Sequence, residues 1–422
     1  MARRPTIKDI ARQAGVSESA VSFALNGKPG VSEDTRARIR RVAGELGWQP
    51  NSAARALSGE RSGAVGLVLA RPAHTLGAES FFLRLVSGIQ EVLSAAGTAL
   101  LLQVVEDVEA ECAVYRRWWA ERRVDGVLVV DPRTRDPRPA LLSRLGLPAV
   151  VIGGGTGTPP DLWQPDGPAR HGDAAAGDRD GAGGDAGAPG GTGTGPEGAA
   201  GYASGGGAGA DGGAGADGTA GAGGGAGARA GGGTDGGPGP GVVRADDARA
   251  MTEVLDHLHG LGHRRIVHIA GLPGLAHTAR RVAALRAEAA RLGLPPGQVR
   301  SVPTDYSDTE GAAATRRVLA EPEPPTALVY DNDVMAVAGS AVAAGLGIPV
   351  PGRLSIVAWD DSALCRVTHP PLTALVRDTA GFGRLAAEEL LHLLAGGPPR
   401  VRESELPRLE PRGSTAPPPA AY

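Results

Sequence analysis

From Gly172 to Pro240 the chain carries no Val, Ile, Leu, Phe, Met or Trp, and nearly every second residue is Gly. A stretch so poor in apolar area cannot offset the entropy of ordering itself, which predicts a disordered segment. Glycine patterns inside it that imitate phosphate loops are noise. Because loop closure costs only logarithmically more with length, a folded domain tolerates such a stretch at its surface. Residues 155–241 are therefore read as a long Gly/Ala-rich insertion into a domain whose two parts flank it. The 422 residues then divide into a helical head (1–47), a connector (48–62), a first core part (63–154), the insertion, a second core part (242–411) and a C-terminal tail (412–422).

Both core parts alternate short apolar runs with amphipathic helices. Val65–Leu69, Leu100–Val104, Gly126–Val130 and Ala149–Ile152 precede the insertion; Arg265–Ile269, Val299–Val302, Ala327–Tyr330 and Leu354–Ala358 follow it. Runs of this length, apolar throughout, are what parallel strands buried on both faces require. The expected fold class is α/β, two doubly wound subdomains with a cleft at the carboxyl ends of their strands.

Charge is uneven. Residues 1–61 hold eleven Lys/Arg against six Asp/Glu, although the whole chain carries −3. A local cationic surplus is the footprint that binding to phosphates needs. Two cysteines, Cys112 and Cys365, imply neither a disulfide framework nor a zinc site. The N-terminus lacks the apolar core of a signal peptide, and no run approaches eighteen apolar residues, which predicts a cytoplasmic chain without a membrane partner.

The head has its own punctuation. Thr6 and Asp9 make a capping-box pattern, Gly15 permits a left-handed C-cap, and Ser17 caps a second helix over Glu18–Leu25. A third helix starts at Ser32. Two short helices across a tight glycine turn form a helix-turn-helix, whose second helix enters the major groove of DNA.

Thr6-Ile-Lys-Asp-Ile-Ala-Arg-Gln-Ala-Gly-Val-Ser17, followed by Ala20-Val-Ser22, Leu25-Asn-Gly27, Val31-Ser32, Thr35-Arg36 and Pro50-Asn51, resembles the headpiece of lactose-repressor-like (LacI/GalR) regulators. Leu261-Gly-His-Arg-Arg-Ile266, Asp331-Asn-Asp333, Ala358-Trp-Asp-Asp361, Pro371-Leu-Thr373 and Arg412-Gly-Ser-Thr415 extend the likeness through the core. The resemblance implies a periplasmic-binding-protein-like core and a repressor that, as a homodimer or tetramer, binds a pseudo-palindromic double-stranded operator. It implies phosphate or base contacts from Thr6, Ser17, Glu18, Ser19, Ser22, Asn26, Ser32, Thr35 and Arg36. It also implies a hinge helix over residues 51–58, with Asn51, Ala54 and Leu57 at the minor groove. The second helix departs from the pattern at Phe23, where many relatives have Arg. It offers no Arg, Asn or Gln before Asn26, so bidentate base readout is scarce.

For the cleft, the resemblance implies a small-molecule effector, most simply a sugar, contacted by Phe81 or Phe82, Arg281, Asn332 and Asp360. Carboxylate and amide groups suit vicinal hydroxyls, and rings suit sugar faces. Trp359 is a further candidate stacking surface and His277 a further ligand contact. No nucleophile–base pair, metal cluster or phosphate loop stands at readable spacing, so no catalysis, metal or cofactor is expected. Two other readings stay open: a cytoplasmic solute-binding protein with a vestigial head, and a sugar-processing enzyme with a fused DNA reader.

Overall fold

The computed structural model describes residues 5–48, 61–71, 80–154, 239–295 and 297–419. The expected hinge helix and nearly all of the expected insertion lie outside the described residues.

The head is three helices, α1 (Ile7–Ala14), α2 (Glu18–Leu25) and α3 (Glu33–Glu45). The Asp9 carboxylate accepts from the Thr6 N–H at 2.9 Å and from its hydroxyl at 2.7 Å, closing the start of α1. Gly15 ends that helix at φ 66°, a left-handed conformation that glycine adopts without a Cβ penalty. Ser17 accepts from Ala20 N–H and Ser32 from Thr35 N–H, capping α2 and α3. Ile10, Val21, Ala24, Ile39 and Val42 form the shared core.

The remaining elements form two lobes, each around a six-stranded sheet. In the first the order is β11 (Val401–Glu403), β5 (Gly241–Arg244), β4 (Ala149–Gly154), β3 (Gly126–Val129), β1 (Ala64–Ala70) and β2 (Ala99–Val105). In the second it is β12 (Arg408–Glu410), β10 (Thr373–Val376), β9 (Ser355–Ala358), β8 (Ala327–Tyr330), β6 (Ile266–Ala270) and β7 (Val299–Pro303). Every pairing is parallel except that of β10 with β12. The helices are α4 (Ser80–Ala95), α5 (Val108–Ala120) and α6 (Arg138–Leu145) in the first lobe. The second lobe holds α7 (Asp247–Gly260), α8 (Ala276–Arg291), α9 (Asp308–Leu319), α10 (Asp333–Gly345) and α11 (Ala363–Val367). Finally, α12 (Thr379–Leu394) returns to the first.

The lobes are not divided at the insertion, as a tandem reading of the chain would have it. β5 follows the insertion yet pairs with β4 in the first sheet, and its first residue, Gly241, belongs to that sheet and not to the insertion. The chain then crosses to the second lobe before α7, back before α12, and across again between β11 and β12. Nor is 412–422 simply a tail. Ser414 is fully buried, donates to Ile356 O at 2.6 Å and accepts from Thr373 N–H at 2.8 Å.

The contact between α4 and α12 is the most extensive between helices among the described residues. It depends on missing side chains: a Cβ on Gly88 would lie 1.9 Å from Ala380 O, and one on Gly383 would lie 2.2 Å from Leu85 O. The interface buries Leu85, Ile89, Phe382 and Ala386 and closes the first lobe.

Candidate functional site: an interlobe cleft and a helical head

The carboxyl ends of the parallel strands meet at a narrow cleft between the lobes, with about 60 Å³ of free space. Its polar lining follows strand ends one after another. Arg71 comes after β1, Asp131 after β3, Gly153 from β4, Tyr306 after β7, Asp331 and Asn332 after β8, Asp360 after β9 and Arg377 after β10. Asp247 comes from the start of α7, His277, Arg280 and Arg281 from the first two turns of α8, and Phe81, Phe82 and Phe382 from α4 and α12. Strand ends facing a topological switch are where open α/β sheets place ligands.

The charges are matched. Arg71 meets Asp131 at 2.8 Å, Arg280 meets Asp247 at 2.7 Å, and Arg377 meets Asp360 at 2.7 Å. Arg281 spans Asp247 (3.1 Å) and Asp331 (3.0 Å). Burial alone would push Asp131, Asp247 and Asp331 up. Arg71 holds Asp131 below the usual carboxylate range, Arg281 and Arg280 do the same for Asp247, and His268 and Arg281 for Asp331. Cations also stack on rings: Arg71 lies 4.7 Å from the Tyr306 centroid, Arg377 lies 4.9 Å from that of Phe81, and Arg281 lies 4.2 Å from that of Trp359.

Of the effector residues expected from sequence, Phe81, Phe82, His277, Arg281, Asn332 and Asp360 line this cleft. Trp359 does not. It is 1 % exposed, packed in the second lobe's core beneath the Arg281 guanidinium, so it braces a cleft residue instead of offering a free ring. Asn332 is committed on two sides. Its amide donates to Tyr306 O at 3.0 Å, and its carbonyl caps α10 by accepting from Met335 N–H at 2.8 Å.

Arg71, Asp131, Asp247, Arg280, Tyr306 and Arg377 were missed from sequence. Their one legible signal is position, since several directly follow an apolar strand run. Asp131 (φ 50°) and Tyr306 (φ 74°) both hold left-handed backbones, a strain that a non-glycine residue keeps only when its surroundings fix it. For Asp131 the fixing group is Arg138, which donates to Asp131 O at 2.8 Å and Val130 O at 2.9 Å. Arg138 is itself buried against Glu111 and Asp136.

Burial, and then the positive charge of Arg281, lower the His277 imidazole to about 4 from its ordinary 6.5, so the ring is neutral at neutral pH. Its Nε2 pairs with the Tyr306 hydroxyl at 2.8 Å. Between pH 6.5 and about 4 the unfolded chain binds a proton there that the folded chain refuses. Stability should therefore fall as pH falls through that window and level off below it. For a half-buried ring the expected loss is about 2 kcal/mol. His257 and His263 are lowered by burial and tilt the curve the same way. The difference between wild type and His277→Gln in urea denaturation at pH 7 and pH 4.5 isolates the contribution. Parallel curves would show that the ring does not titrate as its surroundings dictate.

In the head, Ser17, Glu18, Ser19 and Asn26 are exposed along α2 and Ser22 is half-buried, while Thr6 and Ser32 are exposed at the starts of α1 and α3 and Thr35 is half-buried beside Ser32. Arg36 differs from expectation. It is 9 % exposed and spends its guanidinium on Phe23 O, Ala24 O (2.9 Å) and Lys28 O (3.0 Å), tying down the carboxyl end of α2 instead of reaching outward. Asn51, Ala54 and Leu57 lie outside the described residues.

Comparison with known proteins agrees at both ends of the chain. The profile of bacterial regulatory proteins, lacI family, matches residues 6–51, and that of the periplasmic binding protein-like domain matches residues 255–415. The chain is 26 % identical over 395 residues to the transcriptional regulator CelR of Thermobifida fusca, covering 93 % of each. It is 24 % identical over 413 residues to the ribose operon repressor of Escherichia coli K12, covering 97 % of this chain and 99 % of that one. A solved complex of CelR with cellobiose shares the fold, with a TM-score of 0.60 at 24 % identity over 97 % of this chain and all of that one. The chain thus carries a head of the lacI family of bacterial regulatory proteins and a periplasmic binding protein-like domain, and it is similar to named transcriptional regulators over nearly its whole length.

Proposed function

We propose that this chain is a sequence-specific repressor whose operator affinity is set by an uncharged sugar in the interlobe cleft. The carrying observation is the charge balance there. Among the described residues four arginines face four aspartates, and His277 is neutral. A site whose ions already neutralise one another gains little from a charged ligand, yet it presents many fixed donors and acceptors for hydroxyls. The cellobiose found in the CelR complex is a ligand of that chemistry.

The two lobes also touch across the cleft. Arg280 donates to Gly153 O at 2.9 Å, Arg84 donates to Asp361 O at 3.1 Å, and Arg71 stacks on Tyr306. A ligand that inserts among these groups shifts how the lobes sit, and linkage makes its effect on operator affinity reciprocal. A homodimer would present two heads to a pseudo-palindromic site, with Thr6, Ser17, Ser22, Ser32 and Thr35 on phosphates and Glu18 and Ser19 toward base edges. The cleft is read as binding, not catalysis, because its carboxylates are occupied by arginines. The intact caps at Thr6, Ser17 and Ser32 favour a working head over a vestigial one.

The test is selection of bound DNA from a random pool by the purified chain, followed by a panel of sugars and sugar phosphates at fixed salt. A palindromic site whose affinity changes with a neutral sugar is expected. Failure to select a sequence, or a response confined to phosphorylated ligands, would overturn the proposal. The family resemblance puts Leu57, outside the described residues, at a minor-groove step of the operator. Leu57→Ala should then weaken operator binding at least about tenfold, or roughly 1.4 kcal/mol, measured by fluorescence anisotropy. Unchanged affinity would remove the wedge.

A further inference from the structure

The outward face of α2 is polar with one exception. Ser19, Ser22, Phe23 and Asn26 fall at the i, i+3, i+4, i+7 spacing of one helix face, away from buried Val21 and Ala24. Phe23 is 41 % exposed, and no other large hydrophobic of the described head is left so open. Its support is rigid. Arg36 holds the carbonyls of Phe23, Ala24 and Lys28, the Lys28 N–H donates to Phe23 O at 2.9 Å, and the ring edge lies over Gly30. Beyond that edge contact with Gly30, no described residue of the head covers this aromatic ring, on a helix that otherwise shows Glu, Ser and Asn.

In the major groove the apolar feature of a base edge is the C5-methyl group of thymine. We propose that Phe23 is a specificity-determining residue that packs on a thymine methyl in each operator half-site. Selectivity would then come in part from apolar contact, on a helix that lacks the forked donors for guanine. The inference rests on the reading of α2 as the groove-entering helix.

The experiment first selects an operator from a random pool. Each thymine in one half-site is then replaced singly by deoxyuridine, which deletes only the methyl group. Losing one buried methyl contact should weaken wild-type binding roughly fourfold at one position, equally at low and high salt, because no phosphate charge changes. Phe23→Ala should bind more weakly and be indifferent to deoxyuridine at that position, with the head's helicity checked by circular dichroism. Wild type that tolerates deoxyuridine everywhere, or a folded Phe23→Ala that keeps the same sensitivity, would overturn the assignment and leave the repressor reading standing. If no sequence is selected at all, the repressor reading itself fails.

Discussion

Arg138→Met should lower the unfolding free energy of the first lobe by about 3–5 kcal/mol, the cost of stranding a buried charge. Glu111 is 0 % exposed and the Asp136 side chain is 3 % exposed, and both meet the Arg138 guanidinium at 2.7–3.0 Å. The methionine leaves those carboxylates and the carbonyls of Val130 and Asp131 without that donor. Burial already raises Glu111 above its ordinary value, with Arg138 holding it back. Without the arginine, Glu111 should take up a proton as pH falls, so the deficit of the variant should shrink between pH 7 and pH 5. Adding Glu111→Gln should recover part of the loss at pH 7, giving less-than-additive costs. Urea denaturation of the four proteins at two pH values checks all three statements. An Arg138→Met protein as stable as wild type would show that the cluster contributes nothing net.

That cluster marks where the sequence stops being legible. The head could be read almost residue by residue because its determinants are local: Thr6 and Asp9, Gly15, and Ser17 with the N–H of Ala20 lie within three positions of what they fix. Parallel strands were legible for a similar reason, since burial on both faces leaves unbroken apolar runs such as Val65–Leu69 and Ala327–Tyr330. The return of α12 to the first lobe was not, because an amphipathic helix does not state which sheet it covers. The cleft was half legible. Phe81 or Phe82, Arg281 and Asp360 were expected from the family resemblance and do line the cleft, whereas Arg71 and Asp131 are sixty positions apart and Asp247 meets Arg280 across thirty-three. Only the order of the strands brings their ends together. Arg36 and Trp359 failed for the opposite reason. Each has the chemistry of a contact residue, but tertiary packing spends it inside the protein.

Gly88→Ala should cost about 3 kcal/mol, at the upper end for adding one methyl group to a packed interior. A Cβ at that position would lie 1.9 Å from Ala380 O and 2.7 Å from its carbonyl carbon. No rotamer can relieve this, because the obstacle is main chain, and the helices α4 and α12 must part. Gly383 faces the same interface from the other side, against Leu85 O at 2.2 Å. Once the helices have separated for one alanine, the second meets less resistance, so the double variant should cost less than the sum of the singles. The consequence reaches the cleft because Phe81 and Phe82 lie in the first turn of α4, and α12, which starts directly after Arg377 and Asp378, carries Phe382. Parting the helices moves the aromatic wall relative to Arg377, which stacks on Phe81. Folded Gly88→Ala protein should therefore bind the effector more weakly while its head, with a separate core, keeps its intrinsic grip on DNA. Calorimetric effector titration together with operator binding in the absence of effector separates the two. A variant that lost stability but kept full effector affinity would show that the helix interface supports the lobe without setting the geometry of the site.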